Sequence, residues 1–440
     1  MMYLKLSIRN AKRSFTDYLL YVVTMTVLLA TMEISNCIAI MGELTNFQTI
    51  SLPLLITIIQ AILVGYIDDF ILRQRAKEFA NYLLLGMNKK KLTNLFLCEI
   101  LLIGLLCFLI GTTIGFFVYG LSCLNAILHE IKLYAFLYGK SILYTFFCFC
   151  LVEIIGAFSL KKRLEKLQIR ELMYEKNRNQ GMKKKENYKK WGIAFVFSFV
   201  CMIGFVCGIV FLPEDHIVYV VSFVIIPLLV SIYTFYKWIF SYLYTYRKTK
   251  SVNLYQKNRL YVMASLTSNF KTTAIINVVF CVCFLFSVSS FFAGMLMLQP
   301  EIQLFDTDLQ QWMGTAQICI CIVFAIIYFS ILSLQQIIEL RQDSKNNQIL
   351  RWIGKSDRQI VILVNRIIAI RLTFPMTMAL IIFLFCIPLL NVKMNSILPI
   401  TMHNIIWGFA GEFCLCTLFI YLCYFLVVST MSKQYIKSIK

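Results

Sequence analysis

The sequence predicts an all-α polytopic membrane protein, with about ten transmembrane helices and both termini in the cytoplasm. Three observations lead there. Of the 440 residues, 60% are hydrophobic, against roughly 45–50% in a soluble domain, and the mean hydropathy is +0.76. Only 15% are charged, against about 25% in a soluble domain. Apolar runs of about 20 residues, the length that crosses a bilayer, recur along most of the chain. This composition excludes a soluble enzyme, a disordered chain and a disulfide-stapled secreted domain.

Ten spans follow in order, near 17–41, 51–72, 94–119, 140–160, 191–212, 217–240, 272–298, 312–337, 371–391 and 403–430. The first is preceded by Arg9, Lys12 and Arg13 and lacks a small-residue cleavage site. It therefore reads as a retained helix and not a signal peptide. The third contains Gly111 and Gly115 as G-x-x-x-G, a spacing that lets helices approach closely. Trp191, Trp238, Trp312 and Trp407 lie near span ends, as interfacial tryptophans do.

Charge sets the orientation. There are 42 Lys and Arg against 22 Asp and Glu, a net charge of +20. With the N-terminus inside, 39 of the 42 bases fall in segments 1–16, 73–93, 161–190, 241–271, 338–371 and 431–440, counting Lys237 at the inner end of its span. Only Lys132, Lys140 and Lys393 fall on the other side. The positive-inside rule thus places both termini in the cytoplasm. The outer loop 299–311 has three acids and no base, which agrees. Because the bases alternate with apolar spans, they read as a topology signal that also touches anionic lipid. Nucleic acid is not an expected partner.

The organisation is two halves. Residues 1–175 form a first half with spans one to four. Residues 176–190, KNRNQGMKKKENYKK, are a basic cytoplasmic linker. Residues 191–271 carry spans five and six with a basic segment, and 272–440 carry spans seven to ten. Sixteen cysteines lie mostly inside apolar runs, four pairs of them as C-x-C. Residues two apart on a helix point to different sides, so these pairs do not form C-x-x-C-like metal sites. They read as buried thiols acting as small hydrophobes.

Two inner segments, one in each half, match without a gap: RQRAKEFANYLLLG (Arg73–Gly86) and RQDSKNNQILRWIG (Arg341–Gly354). Arg73 pairs with Arg341, Gln74 with Gln342, Lys77 with Lys345, and Gly86 with Gly354. Each is expected to extend a membrane helix into the cytoplasm, turn at its glycine, and lead through a short amphipathic helix into the next span. Leu83, Leu84, Leu92, Leu95 and Phe96 are expected to face membrane or a partner.

Charged residues inside spans are functional candidates. Glu412 is the deepest acid and Glu33 sits in the outer half of the first span, where Lys140 is a possible partner. Asp68, Asp69, Glu99 and Glu153 lie near inner span ends and read as ion pairs with the basic loops, with a proton relay as the lesser reading. His129, His216 and His403 are far apart, and no metal site is expected. No set of residues suited to hydrolysis stands out, so no catalytic residue is assigned.

At these residues the chain resembles the FtsX/MacB-like permeases of ABC transporters, and within them the bacitracin- and lantibiotic-resistance branch. The string RQRAKEFANYLLLGMNKKKLTNLFLCE (Arg73–Glu99) resembles that family's R-x-K-E-x-x-x-x-x-x-x-G-M-x-x-x-x-[IL] segment. Gln335–Ile360 is similar to its degenerate second copy, and LSIRNAKRSFTDYLLY (Leu6–Tyr21) resembles the family's opening helix. The layout of one plus three, two, then one plus three spans is also similar. The large extracellular domain of that branch has no counterpart in the short 299–311 loop.

The resemblance implies two FtsX-like repeats in the bacterial plasma membrane. It also implies a partner ABC ATP-binding subunit, expected as a dimer, and a membrane histidine kinase as a further possible partner. No cofactor is expected on this chain, with ATP reaching the complex through the ATPase. The sequence is consistent: a Walker A motif needs G-x-x-x-x-G-K-[ST]. Neither G-K-S qualifies: Gly354-Lys355-Ser356 has Ile349, and Gly139-Lys140-Ser141 has Tyr134, where the first glycine belongs. Arg73, Lys77, Gly86, Lys89, Lys90, Lys91, Arg341, Lys345 and Gly354 would then be ATPase-docking residues. The implied role is antimicrobial-peptide resistance, immunity or export. The alternatives are a signal transmitter that moves no substrate, and an ion-driven carrier, which needs acids at mid-membrane.

Overall fold

The computed structural model describes residues 15–44, 51–122, 131–166, 188–211, 214–248, 259–267, 270–299, 307–397 and 404–438. Among them there is no strand. Twelve described helices follow in order: α1 Phe15–Leu44, α2 Ser51–Gln74, α3 Ala76–Leu84, α4 Lys89–Ser122, α5 Ile131–Lys166, α6 Tyr188–Phe211, α7 Glu214–Lys248, α8 Arg259–Thr267, α9 Phe270–Met297, α10 Thr307–Trp352, α11 Asp357–Ile397 and α12 Ile405–Ser438. An all-helical build is what a bilayer demands of a chain without a barrel, because each backbone amide must be bonded within its own segment.

Ten of these helices contain the ten expected spans. Eight have described stretches long and apolar enough to cross a membrane. In α1 and α2 the described apolar stretches, Val22–Cys37 and Ile56–Asp68, are shorter. The helices overrun the hydropathic spans. The span expected at 312–337 lies in α10, which continues to Trp352, and the one at 371–391 lies in α11, which begins at Asp357. Leaving the hydrocarbon does not end a helix whose hydrogen bonds are internal.

The chain divides into two compact units, residues 1–178 with 329–334, and 179–328 with 335–440. In the first unit α1 packs on α2, α4 and α5, and α2 and α4 each pack on α5. The G-x-x-x-G pair is a contact within this bundle. A Cβ at Gly111 would stand 2.8 Å from Leu29 Cβ and 3.1 Å from the Thr26 carbonyl oxygen. One at Gly115 would stand 2.9 Å from Glu33 Cβ and Cγ. Only glycine lets α4 approach α1 this closely, the usual basis of helix association in lipid.

In the second unit α7 packs on α6, α8 and α9, and α11 on α6, α8, α9 and α12. The helix α9 is its most enclosed span, and both members of its Cys281/Cys283 pair are buried. A helix surrounded on all sides buries residues two apart together, although they point different ways. None of the described cysteines is in a disulfide. Tyr236 of α7 donates to the carbonyl oxygen of Pro375 in α11, and Arg371 Nη2 donates to Ser265 Oγ of α8 at 2.6 Å. The linker 176–190 lies outside the described residues except for its last three, which open α6.

Candidate functional site

The repeated segments fold into the same turn twice. In the first unit α3 closes with Leu85 N–H donating to the Asn81 carbonyl (3.0 Å), Gly86 N–H to Leu83 (3.2 Å) and Met87 N–H to Tyr82 (3.0 Å). In the second, Ile353 N–H donates to Ile349 (3.1 Å), Gly354 N–H to Arg351 (2.9 Å) and Lys355 N–H to Leu350 (3.1 Å). With Gly86 aligned on Gly354, the two sets correspond bond for bond. This is the Schellman closure, which satisfies the last helical carbonyls and needs a left-handed residue just past the cap. Gly86 has φ +91 and Gly354 φ +95. No atom lies within 4 Å of a Cβ at either position, so backbone conformation and not space demands glycine.

Each turn presents two large apolar side chains outward. Leu84 and Leu85 are 61% and 84% exposed, and their counterparts Trp352 and Ile353 are 81% and 72%. Bases flank both pairs. Lys90 and Lys91 are exposed and Lys89 half-buried in the first turn of α4, and Arg358 is exposed and Lys355 half-buried after Gly354. Arg351 Nε bonds Asp357 Oδ1 at 2.9 Å across the second turn.

Not all the expected apolar positions face outward. Leu84 does and Leu83 does partly, but Leu92, Leu95 and Phe96 are buried within the unit. The expected amphipathic helix also sits elsewhere. It is α3, before Gly86 and not after it, while α4 enters its span directly.

The residue that holds the first turn in place is not among those the repeat marks. Arg75 stands at the break between α2 and α3, buried. Its Nη1 bonds Glu99 Oε2 of α4, and its Nε bonds Glu78 Oε2 at 3.0 Å. Its guanidinium lies over the Phe79 ring at 5.2 Å, and Phe79 meets Phe96 edge-on at 5.0 Å. In the second copy Arg75 and Glu99 correspond to Asp343 and Ile367, which cannot repeat the pair. There α10 runs without a break to Trp352. Identities between the copies mark what they share and so pass over Arg75, whereas the R-x-K-E of the family segment opens at Arg75 and was the available signal. Arg73, Lys77, Arg341 and Lys345 lie on helices, but their side chains are outside the described residues.

Glu33 is fully buried in the first unit. Its Oε1 accepts from Ser141 Oγ of α5 and from Cys37 Sγ at 3.8 Å. Beside it Asn36 Nδ2 donates to Thr145 Oγ1 at 2.8 Å. Lys140 lies with its ammonium 5.8 Å from the Tyr144 ring centre. Glu412 is exposed on α12, turned away from its unit's interior. Among the described residues no group of three His, Cys, Asp or Glu side chains could hold a metal ion.

Residues 50–169 match the family model described as FtsX-like permease C-terminal. The matched stretch carries α2 to α5, with the Gly86 turn and the Arg75–Glu99 pair. No curated protein matches the chain. The match supports a permease subunit of an ABC-type system, a class that typically works with an ATP-binding subunit. Together with the apolar helices it makes this a multi-pass protein of the bacterial plasma membrane.

Proposed function

We propose that this chain is the membrane subunit of an ABC transporter, worked by a separate ATPase that docks on the Gly86 and Gly354 turns. The observation that carries the reading is the twice-built turn. Two segments far apart in the chain share one hydrogen-bond pattern and one positive-φ glycine, and each offers two outward apolar side chains beside bases. A soluble partner that covered Leu84, Leu85, Trp352 and Ile353 would remove their apolar surface from water. Rigid helices leading from each turn into the membrane would carry a push on the turn into a tilt of a span. One chain already holds two turns, which favours one copy of it for each pair of ATPase chains. The cargo class, antimicrobial peptides or lipid-linked envelope compounds handled for resistance, immunity or export, rests on the resemblance of Arg73–Glu99 and on the span layout.

The test is purification of the tagged full-length chain from its native membrane in mild detergent, with mass spectrometry of what accompanies it. A stoichiometric ATPase carrying a Walker A motif is expected, and its absence with nucleotide present would overturn the reading. Leu85→Asp combined with Ile353→Asp should leave the protein folded in the membrane and remove the ATPase. Charge reversal at Lys89, Lys90 and Lys91 should weaken its stimulation. Full ATPase recovery by these variants would move the docking surface elsewhere. An ATPase that binds and is stimulated while no cargo moves would favour the signal-transmitter alternative.

A further inference from the structure

The Gly354 turn has two arms, the last turns of α10 and the opening stretch of α11, and α8 is tied to both. Tyr261 Oη of α8 donates to Asn347 Oδ1 of α10 at 3.4 Å. Arg371 Nη2 of α11 donates to Ser265 of α8 twice, to its hydroxyl at 2.6 Å and to its carbonyl oxygen at 3.3 Å. Residues four apart share a helix face, so one face of α8 holds both arms. Asn347 and Ser265 are buried, and α8 also packs on α7 and α11. Only Ser268 and Asn269 separate α8 from α9, the most enclosed span of the unit.

The arm on α11 has a weak point close to its tie. Pro375 lies inside the helix and has no N–H to give the carbonyl four residues back, that of Arg371. Helices bend most readily at such a position. The neighbouring α7 grips α11 there. Tyr236 donates to the Pro375 carbonyl oxygen, and the rings of Tyr236 and Phe240 meet Phe374 edge-on at 5.7 and 5.2 Å. From Asp357, where α11 opens, to this point the arm is about 27 Å long. The first copy is built without these ties. Along the alignment of the repeats, Asn347 falls on Phe79 and Arg371 on Ile103, and Phe79 packs under Arg75 instead.

We propose that α8 is a strap that carries movement of the Gly354 turn to α9, with Pro375 as the pivot. A push on the turn tilts α10, which is unbroken to Trp352, as one rod, while α11 yields at Pro375. Arg371 stands one turn from the pivot and moves little. Asn347 stands two turns before Gly354 and moves with the tip. Tyr261 follows Asn347 while Ser265 stays with Arg371, so α8 swings and draws on the start of α9. None of these four side chains is among those the ATPase is expected to cover. The inference rests on ATPase docking at this turn, and it adds the route by which the push reaches a span that the turn does not itself join.

Hydrogen–deuterium exchange read by mass spectrometry tests the strap, on the full-length protein with its co-purified ATPase in lipid nanodiscs, with and without vanadate-trapped nucleotide. In the unaltered complex, trapping should change exchange in the Gly354 turn, in α8 and in the first turns of α9. In Tyr261→Phe combined with Arg371→Leu the ATPase should still accompany the chain and the turn should still respond, while the responses of α8 and α9 are lost. Arg371→Lys alone keeps a donor for Ser265 and should keep both responses. Tyr261→Phe alone removes one hydroxyl and should already weaken the α9 response, so the test does not depend on the folding of the double variant. An α9 response that is absent from the unaltered complex, or undiminished in these Phe variants, would overturn the strap and leave docking standing. No ATPase on the unaltered chain would overturn docking and the strap with it.

Discussion

A buried charge is the most consequential single residue in a membrane bundle, and Arg75 is one. Removing one member of a buried ion pair leaves the other uncompensated and costs about 3–5 kcal/mol, whereas replacing both with apolar residues costs far less. Glu99→Gln should therefore lower the thermal stability of the detergent-solubilised protein, by less than that full amount because Glu78 still pairs with Arg75. Arg75→Leu with Glu99→Leu should recover most of it. A single variant within about 0.5 kcal/mol of the unaltered protein would show that the pair does not hold the turn. Residues of this kind were only partly legible in the sequence. Gly86 and Gly354 were, because glycine has a conformational meaning by itself. The role of Arg75 depends on Glu99, which lies 24 residues away and reaches it only because the chain breaks after α2. Of the inner-end acids, Glu99 pairs with a base, while Asp68 is buried with one carboxyl oxygen unbonded.

At the scale of elements, each turn makes a prediction that its glycine alone decides. Since nothing crowds either Cβ position, alanine at Gly86 or Gly354 should cost only the left-handed backbone penalty, about 1–2 kcal/mol. Asparagine tolerates that conformation and should cost less. Thermal denaturation of the Ala and Asn variants at both positions tests this. Equal losses for Ala and Asn would mean that the turn does not depend on positive φ. The two short helices show where hydropathy stops being informative. The apolar helices were legible because, in a chain of this composition, a long apolar run is seldom anything but a span, and eight of them are long and apolar enough over their described residues to cross a membrane. The helix α8 sits in a basic stretch without such a run, and α3 differs from the matching part of α10 by a break that no apolar pattern marks. Packing and a buried ion pair, not periodicity, define these pieces.

At the scale of the whole chain, the remaining question is which way the helices cross, and charge makes that prediction. Moving a Lys or Arg across a bilayer with its loop is unfavourable, so bases accumulate on the cytoplasmic side. With 39 of 42 bases on one side of an alternating path, the reverse orientation would carry nearly all of them across. The segment 299–311, with three acids and no base, must then lie outside. It is short enough to test with one residue. Phe305→Cys, compared with the unaltered chain to subtract the native thiols, should gain one site for a membrane-impermeant maleimide in intact cells. Gain of that site only after the cells are broken would place the loop in the cytoplasm. The Gly86 and Gly354 turns, on the opposite side of the same alternation, would then face outward, where no cytoplasmic ATPase could reach Leu85 or Ile353. The orientation measured at one outer residue therefore decides whether docking at the two turns is physically available at all.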